Sequence, residues 1–272
     1  MIRVGRQWSK LLHLVLVVTI LLCVTIIDFS FCAHMIFSSI HSKSSSYCLI
    51  MPNFAWSNTL QEGVSSKWSI TIDDFEKYQS GSFPGGWQPW RGNKDSARNV
   101  YTIQKEQENK YLRANDDGSS IIIRKRLGNW DANQYPILSW RWRARVLPEN
   151  GNESIGPKND SSVAVYVVLD QNFIGIPKTL KYVWSTTLPV GTYHRREGMG
   201  RPHVIVLQSG KEKLGEWVNE SVDVYADYVR IFGKPPPRKA VGIGVLTDGN
   251  ATGTESQGDY DSFVIQRRFS DP

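Results

Sequence analysis

No cysteine follows Cys48 in this chain of 272 residues; Cys23, Cys32 and Cys48 are the only three. Whatever folds downstream must do so without a disulfide or a thiolate-bound metal, and thiol nucleophiles are excluded there. Histidine is nearly as scarce, with only His194 and His203 after His41. Neither has a partner that sequence can identify, so each reads as a strand or surface residue before a general base. The Gly-x-Ser-x-Gly elbow, the His-Glu-x-x-His helix, the Walker loop and the dinucleotide fingerprint are all missing. An excess of one charge sign is missing too. The formal charge is +6, but five of the 32 basic residues and two of the 26 acids precede Trp68, leaving 27 against 24. That near balance is not a nucleic-acid footprint, and no nucleic-acid partner is expected. With 40% apolar and 21% charged residues, and 22 Gly and 13 Pro in no period, disorder and collagen are excluded as well.

The N-terminal segment reads as an address. Arg3, Arg6 and Lys10 precede an apolar run from Leu11 to Ile27, and no acid comes before Asp28. Basic residues held on the cytoplasmic side would deliver the rest of the chain across a membrane. The run is at the lower limit for a spanning helix and beyond a usual cleaved core, and Phe31 spoils a small-x-small site ending at Ala33. Residues 1–33 are therefore either a signal peptide or an N-terminal membrane anchor. Residues 34–67 read as a linker, and residues 68–269 as a single domain in the periplasm, its membrane link confined to the N-terminal segment.

In that domain, short β-branched or alternating runs are separated by Gly, Pro, Asn and Asp, the pattern of strands. Strands are expected at Trp68 to Phe75, Arg98 to Lys105, Lys110 to Ala114, Ser119 to Arg126, Ile137 to Val146, Ser161 to Leu169, Leu180 to Thr186, His203 to Gln208, Ala240 to Thr247 and Tyr260 to Arg267. Ten strands with almost no helix make an all-β sandwich or jelly roll. One amphipathic helix is expected over 221–233, with Tyr225, Tyr228, Val229 and Phe232 as its stripe, Ser221 as N-cap and Gly233 as its end.

Alternation also assigns faces. In Ser139-Trp140-Arg141-Trp142-Arg143 both tryptophans share one face and both arginines the other; in Lys181-Tyr182-Val183-Trp184-Ser185 the rings oppose Lys181 and Ser185. Either the rings fill the core and the arginines pair with carboxylates outside, or the guanidiniums line a groove for an anionic or hydroxylated ligand. Trp87 and Trp90 lie in a Gly/Pro-punctuated loop, where a ring can plug the core or stack on a sugar. Trp87, Trp90, Arg141, Arg143, Tyr182 and Trp184 are the ligand-binding candidates. Carboxylates flanking strands, Asp160, Glu216 and Asp248, could serve glycoside hydrolysis if two faced each other across a groove. For a structural calcium, the candidates are Asp248 and Asn250 in one loop, and Asp73, Asp74 and Glu76 of the first strand beside Asp259 and Asp261 of the last. The first loop is equally what a plain turn needs.

Several co-linear segments carry a resemblance: Tyr135 to Arg143, Asn159 to Val168, Leu180 to Ser185, Gly215 to Glu220 followed by Asp223 to Tyr228, and Gly242 to Asp248 leading to Asp259-Tyr260-Asp261. Over about Ile70 to Phe269 the chain resembles the bacterial domain-of-unknown-function family 3047. Members are exported proteins of unassigned activity, so the resemblance implies a lineage and no catalytic residue. Two positions depart from the pattern. Many members carry an arginine where this chain has Ala164-Val165, and an Asp-x-Asp-Asn-Thr loop in place of Asp248-Gly-Asn-Ala-Thr252. The opening and closing acidic strands also look like those of carbohydrate-binding and galactose-binding jelly rolls, a likeness of fold only. Three functional expectations follow: a non-catalytic binder of a glycan or other envelope component, a carbohydrate-active enzyme of hydrolase or lyase type, and a structural or partner-binding envelope protein.

Overall fold

Ile137–Val146 alternates large apolar and charged residues over its whole length, and in the computed structural model it is one unbroken ten-residue strand, β6. The structure describes residues 68–195, 197–198 and 200–269; the expected signal or anchor and the expected linker lie outside them. Among the described residues no helix is long and apolar enough to cross a membrane. On β6, Leu138, Trp140, Trp142 and Ala144 are buried on one face, while Arg141 and Arg143 emerge on the other. β6 pairs antiparallel with β11 (Val218–Asp223) on one side and with β13 (Ser256–Gln266) on the other. β13 continues the sheet to β4 (Asn109–Asp116) and β3 (Tyr101–Glu106), and its last residues pair with β1 (Ser69–Asp73). This is sheet A.

Sheet B runs in the order β2 (Gln88–Pro89), β5 (Ile123–Arg126), β12 (Gly242–Leu246), β7 (Val163–Gln171), β8 (Pro177–Ser185), β10 (His203–Ser209) and β9 (Tyr193–Arg195). All pairs are antiparallel except β8 with β10. β7 is buried on both faces from Val163 to Leu169 and reads there as a continuous apolar run, as strands covered on both sides do. The two sheets stack with Trp140, Trp142 and Tyr260 of sheet A against Val165, Tyr182 and Trp184 of sheet B. Trp140 meets Trp142 edge-on at 5.3 Å and Tyr182 at 5.8 Å between ring centres, and each such buried ring is worth roughly 1.5–3 kcal/mol. The result is the expected all-β sandwich.

Its few helices are short. α1 (Lys94–Val100) was expected to begin a strand at Arg98; instead Asn93 caps the Ser96 N–H and the strand starts at Tyr101. α2 (Val224–Phe232) is the amphipathic helix, buried through Val224 and Tyr228 and ended by Gly233 at φ +70°. Its cap is Asp223, which accepts from Ala226 N–H, and not Ser221. Ser221 belongs to β11, where it pairs with Ser139. The expected strand from Ser119 is likewise shorter, because Asp116 accepts from the N–H groups of Gly118, Ser119 and Ser120 and holds them in a loop.

Candidate functional site

The outer faces of the two sheets differ in chemistry. On sheet A the register sets Asp259 between Arg143 and Arg113, and Asp261 beside Arg141. Arg143 Nε donates to Asp259 at 2.8 Å and Arg113 Nε at 2.9 Å, Arg141 Nε donates to Asp261 at 2.9 Å, and Arg143 also pairs with Glu106 at 3.0 Å. Trp217 caps the network, its ring 4.6 Å from the Arg143 guanidinium and 4.8 Å from that of Arg141. These arginines have their counterions within the chain. Asp259 and Asp261 are therefore held by guanidiniums, not grouped with Asp73. Asp73 is buried elsewhere, bonded to Lys125 at 2.6 Å, Trp87 at 2.9 Å and Tyr78 at 2.9 Å. Burial pushes its pKa up, but Lys125, Trp87 and Tyr78 outweigh that and leave it below the usual carboxylate range. Asp74 and Glu76 are exposed. Among the described residues no three His, Cys, Asp or Glu side chains come together as a metal site.

The outer face of sheet B is different. Following the register from β5 to β10, one row reads Arg124, Gly244, Tyr166, Lys181 and Val204. Around this row lies a cavity of about 880 Å³. Tyr166, Lys181 and Thr179 line it from the sheet. Trp90 and Arg91 come from the loop after β2, and Ser119 to Ile122 from the loop shaped by Asp116. Asn159, the β7–β8 hairpin from Ile174 to Pro177, and Arg201 complete the lining. In that hairpin Asn172 accepts from Ile174 and Ile176 N–H, while Phe173 at the tip is 98% exposed. A side-chain carbon at Gly244 would lie 3.0 Å from Ile123 O and 3.4 Å from Ile122, so glycine leaves the floor open between Arg124 and Tyr166.

Around Lys181 is a buried polar cluster. Lys181 is 2% exposed and donates to Ser161 Oγ at 3.2 Å. Ser161 and Ser185 hydroxyls both donate to Glu153, at 2.8 and 2.6 Å. Burial works against the Lys181 charge, but Tyr166, Glu153 and Asp248 outweigh it and place the ammonium above the usual lysine range. Tyr166 is driven upward by burial, so its hydroxyl stays protonated. Asp248 is raised to about 6, burial being the main cause, with Lys181 pulling down and Asp160 pushing up.

The sequence candidates are thus dispersed. Trp87 is a core plug, stacked on Phe75 at 5.9 Å, whereas Trp90 from the same loop walls the cavity. Tyr182 and Trp184 are 0% and 1% exposed in the core, Tyr182 donating to Asp227 and Trp184 to Gly210 O. Buried at 0% exposure, Asp160 accepts from Ala251 and Thr252 N–H and so shapes the 249–254 loop. Asp248 is 3% exposed, and Asn250 N–H donates to it within a turn. Glu216 is exposed beside Trp217. Asp160 and Asp248 therefore do not face each other across an open groove. Sequence reading does not single out Tyr166, Thr179, Arg91 or Arg201 for the site; of the lining, alternation places only Lys181 on the face opposite the core rings.

Such a fold and site define a two-sheet β-sandwich with a ring- and cation-lined cavity on one outer face. Residues 85–264 match the family described as "Protein of unknown function (DUF3047)", and the chain belongs to it. No curated protein matches the chain. Among solved structures it is similar to the family 11 carbohydrate-binding module of cellulase Lic26A-Cel5E of Clostridium thermocellum (10% identity, 75% of this chain and 96% of that one, TM-score 0.42). It is also similar to the family 30 module of cellulase Cel9D-Cel44B of Clostridium thermocellum (12%, 74% and 99%, 0.39). A third is the xyloglucanase domain of NopAA from Sinorhizobium fredii in complex with cellobiose (10%, 70% and 98%, 0.35).

Proposed function

We propose that this chain is a non-catalytic, exported sandwich that binds a glycan of the cell envelope in the cavity over sheet B. The observation that carries the reading is the composition of that cavity. Trp90 and Tyr166 supply ring surface, and Thr179, Asn159, Ser119 and Ser120 supply hydroxyl and amide groups, across about 880 Å³. Sugars need this combination: an apolar ring face to cover their C–H groups, and short side chains with both donors and acceptors for their hydroxyls. Of the carboxylates that would run glycoside hydrolysis, Asp160 and Asp248 are consumed in building loops, and Glu216 lies outside the cavity.

A glycan array probed with the folded domain tests the reading. Retained sugar binding by wild type and its loss in Trp90→Ala, with an unchanged melting temperature, is the expected result. Sugar binding that survives in Trp90→Ala and Thr179→Val would remove the cavity from the function. Release of reducing ends or unsaturated sugars from a bound polymer would replace the binding reading with a catalytic one.

A further inference from the structure

Four arginines on the outer face of sheet A, Arg113, Arg141, Arg143 and Arg145, each pair with Asp259, Asp261 or Glu106. At the cavity on the other sheet the pattern inverts. Arg91 and Arg201 stand exposed on its rim, and Arg124 lies behind its Trp90 wall, with the guanidinium 4.7 Å from the indole. None of the three makes an ion pair among the described residues. Arg124 Nε is buried with no hydrogen-bond partner, and burial, with the like charge of Arg126, lowers its pKa. Among the described residues no Asp or Glu lines the cavity. Of the carboxylates that hold the Lys181 charge, Glu153 is engaged by Ser161 and Ser185.

We infer that the ligand of this cavity is an acidic glycan, its carboxylate or sulfate groups meeting Arg91 and Arg201 beside the Trp90 wall. The inference rests on the glycan reading above and adds the charge of the sugar. Guanidiniums without a counterion at the rim of a ring-walled cavity make a site where a planar anion gains charge-assisted, bidentate hydrogen bonds that a neutral sugar cannot match.

Titration with three oligosaccharides tests this: an oligogalacturonate, the same oligomer with its carboxylates reduced to alcohols, and a sulfated oligosaccharide. Expected is binding confined to the anionic oligomers, weakened by salt. It should also fall about tenfold or more in Arg201→Gln and Arg91→Gln, a loss in keeping with a hydrogen bond to a charged group. Which anionic oligomer binds tighter then identifies the group. Both arginines are exposed, so an unchanged melting temperature is expected for each variant. Equal binding of the carboxyl-reduced oligomer, untouched by salt and by both substitutions, overturns the inference and leaves the glycan reading standing. Binding of none of the three, nor of any neutral sugar on the array, removes both.

Discussion

Lys181 sits directly across from Tyr166 in the antiparallel β7–β8 pair, with its ammonium 5.6 Å from the ring centre and nearly sealed from solvent. The pair lines the cavity, and Ser161, Glu153 and Asp248 act on the same Lys181. One buried cation thus joins the cavity over sheet B to the cluster of Ser161, Ser185 and Glu153.

Replacing that cation exposes its structural role. Lys181→Met keeps the volume but leaves Glu153 and Asp248 without a buried positive partner, and breaking such a pair costs about 3–5 kcal/mol. Urea unfolding should show a loss of that order. A double variant that also carries Glu153→Gln should recover part of it, since one uncompensated charge is then gone.

Asp248 gives a pH dependence of unusual sign. The folded protein keeps its proton up to about pH 6, whereas the unfolded chain releases it near the ordinary value of 3.8. Between those limits the folded state binds more protons, so this residue makes stability fall as pH rises from about 4 to 6, with the deficit persisting above. His203, whose pKa burial lowers, contributes the opposite slope just below its ordinary value. The difference between wild type and Asp248→Asn isolates the carboxyl: the variant should gain stability relative to wild type as pH rises through this window. Chemical denaturation at pH 4.5, 5.5 and 7 measures it.

Where β13 crosses over β7 the sheets come too close for any side chain. A carbon added at Gly258 would lie 2.1 Å from Val163 Cγ1 and 2.9 Å from Ser162 O. Gly258→Ala should therefore destabilise by about 1–3 kcal/mol through overpacking. Trimming the neighbour in Gly258→Ala/Val163→Ala should return only part of the loss, because the backbone oxygen stays. Thermal melts of the two variants give the comparison.

The arginines of sheet A should behave as structure. Asp259 is fully buried between Arg113 and Arg143, so Asp259→Asn leaves two guanidiniums without their shared charge and should cost about 3 kcal/mol or more. Arg141→Gln, with its partner Asp261 beside it, should lower stability without changing glycan affinity. A parallel melt and binding titration separates these effects.

Much of this architecture is legible in the letters. Alternation in Ile137–Val146 gives the strand, its boundaries and the segregation of Trp140 and Trp142 from Arg141 and Arg143. The same rule separates Tyr182 and Trp184 from Lys181. What alternation cannot say is which outer face is satisfied within the chain. That depends on Asp259 and Asp261 arriving in register from more than a hundred residues away. α1 escapes because its seven residues bury only Ala97 and Val100, too few to form a stripe. β11 escapes because Val218–Asp223 runs straight into α2, and a serine beside a helix start imitates a cap. The cavity is the least legible feature, since its floor is a row across β12, β7, β8 and β10, and its rim arginines, Arg91 and Arg201, come from unrelated loops.

The most direct test of where ligand binds is a ¹⁵N-resolved titration of the folded domain with oligogalacturonate, following the indole N–H signals of Trp90 and Trp217 together with the backbone amides of Tyr166, Thr179 and Lys181. Shifts at Trp90 and across β7–β8, with Trp217 unmoved, are the predicted result. Shifts centred on Trp217 and the Arg141–Asp261 pair, with Trp90 unmoved, would place the ligand on sheet A and contradict the account.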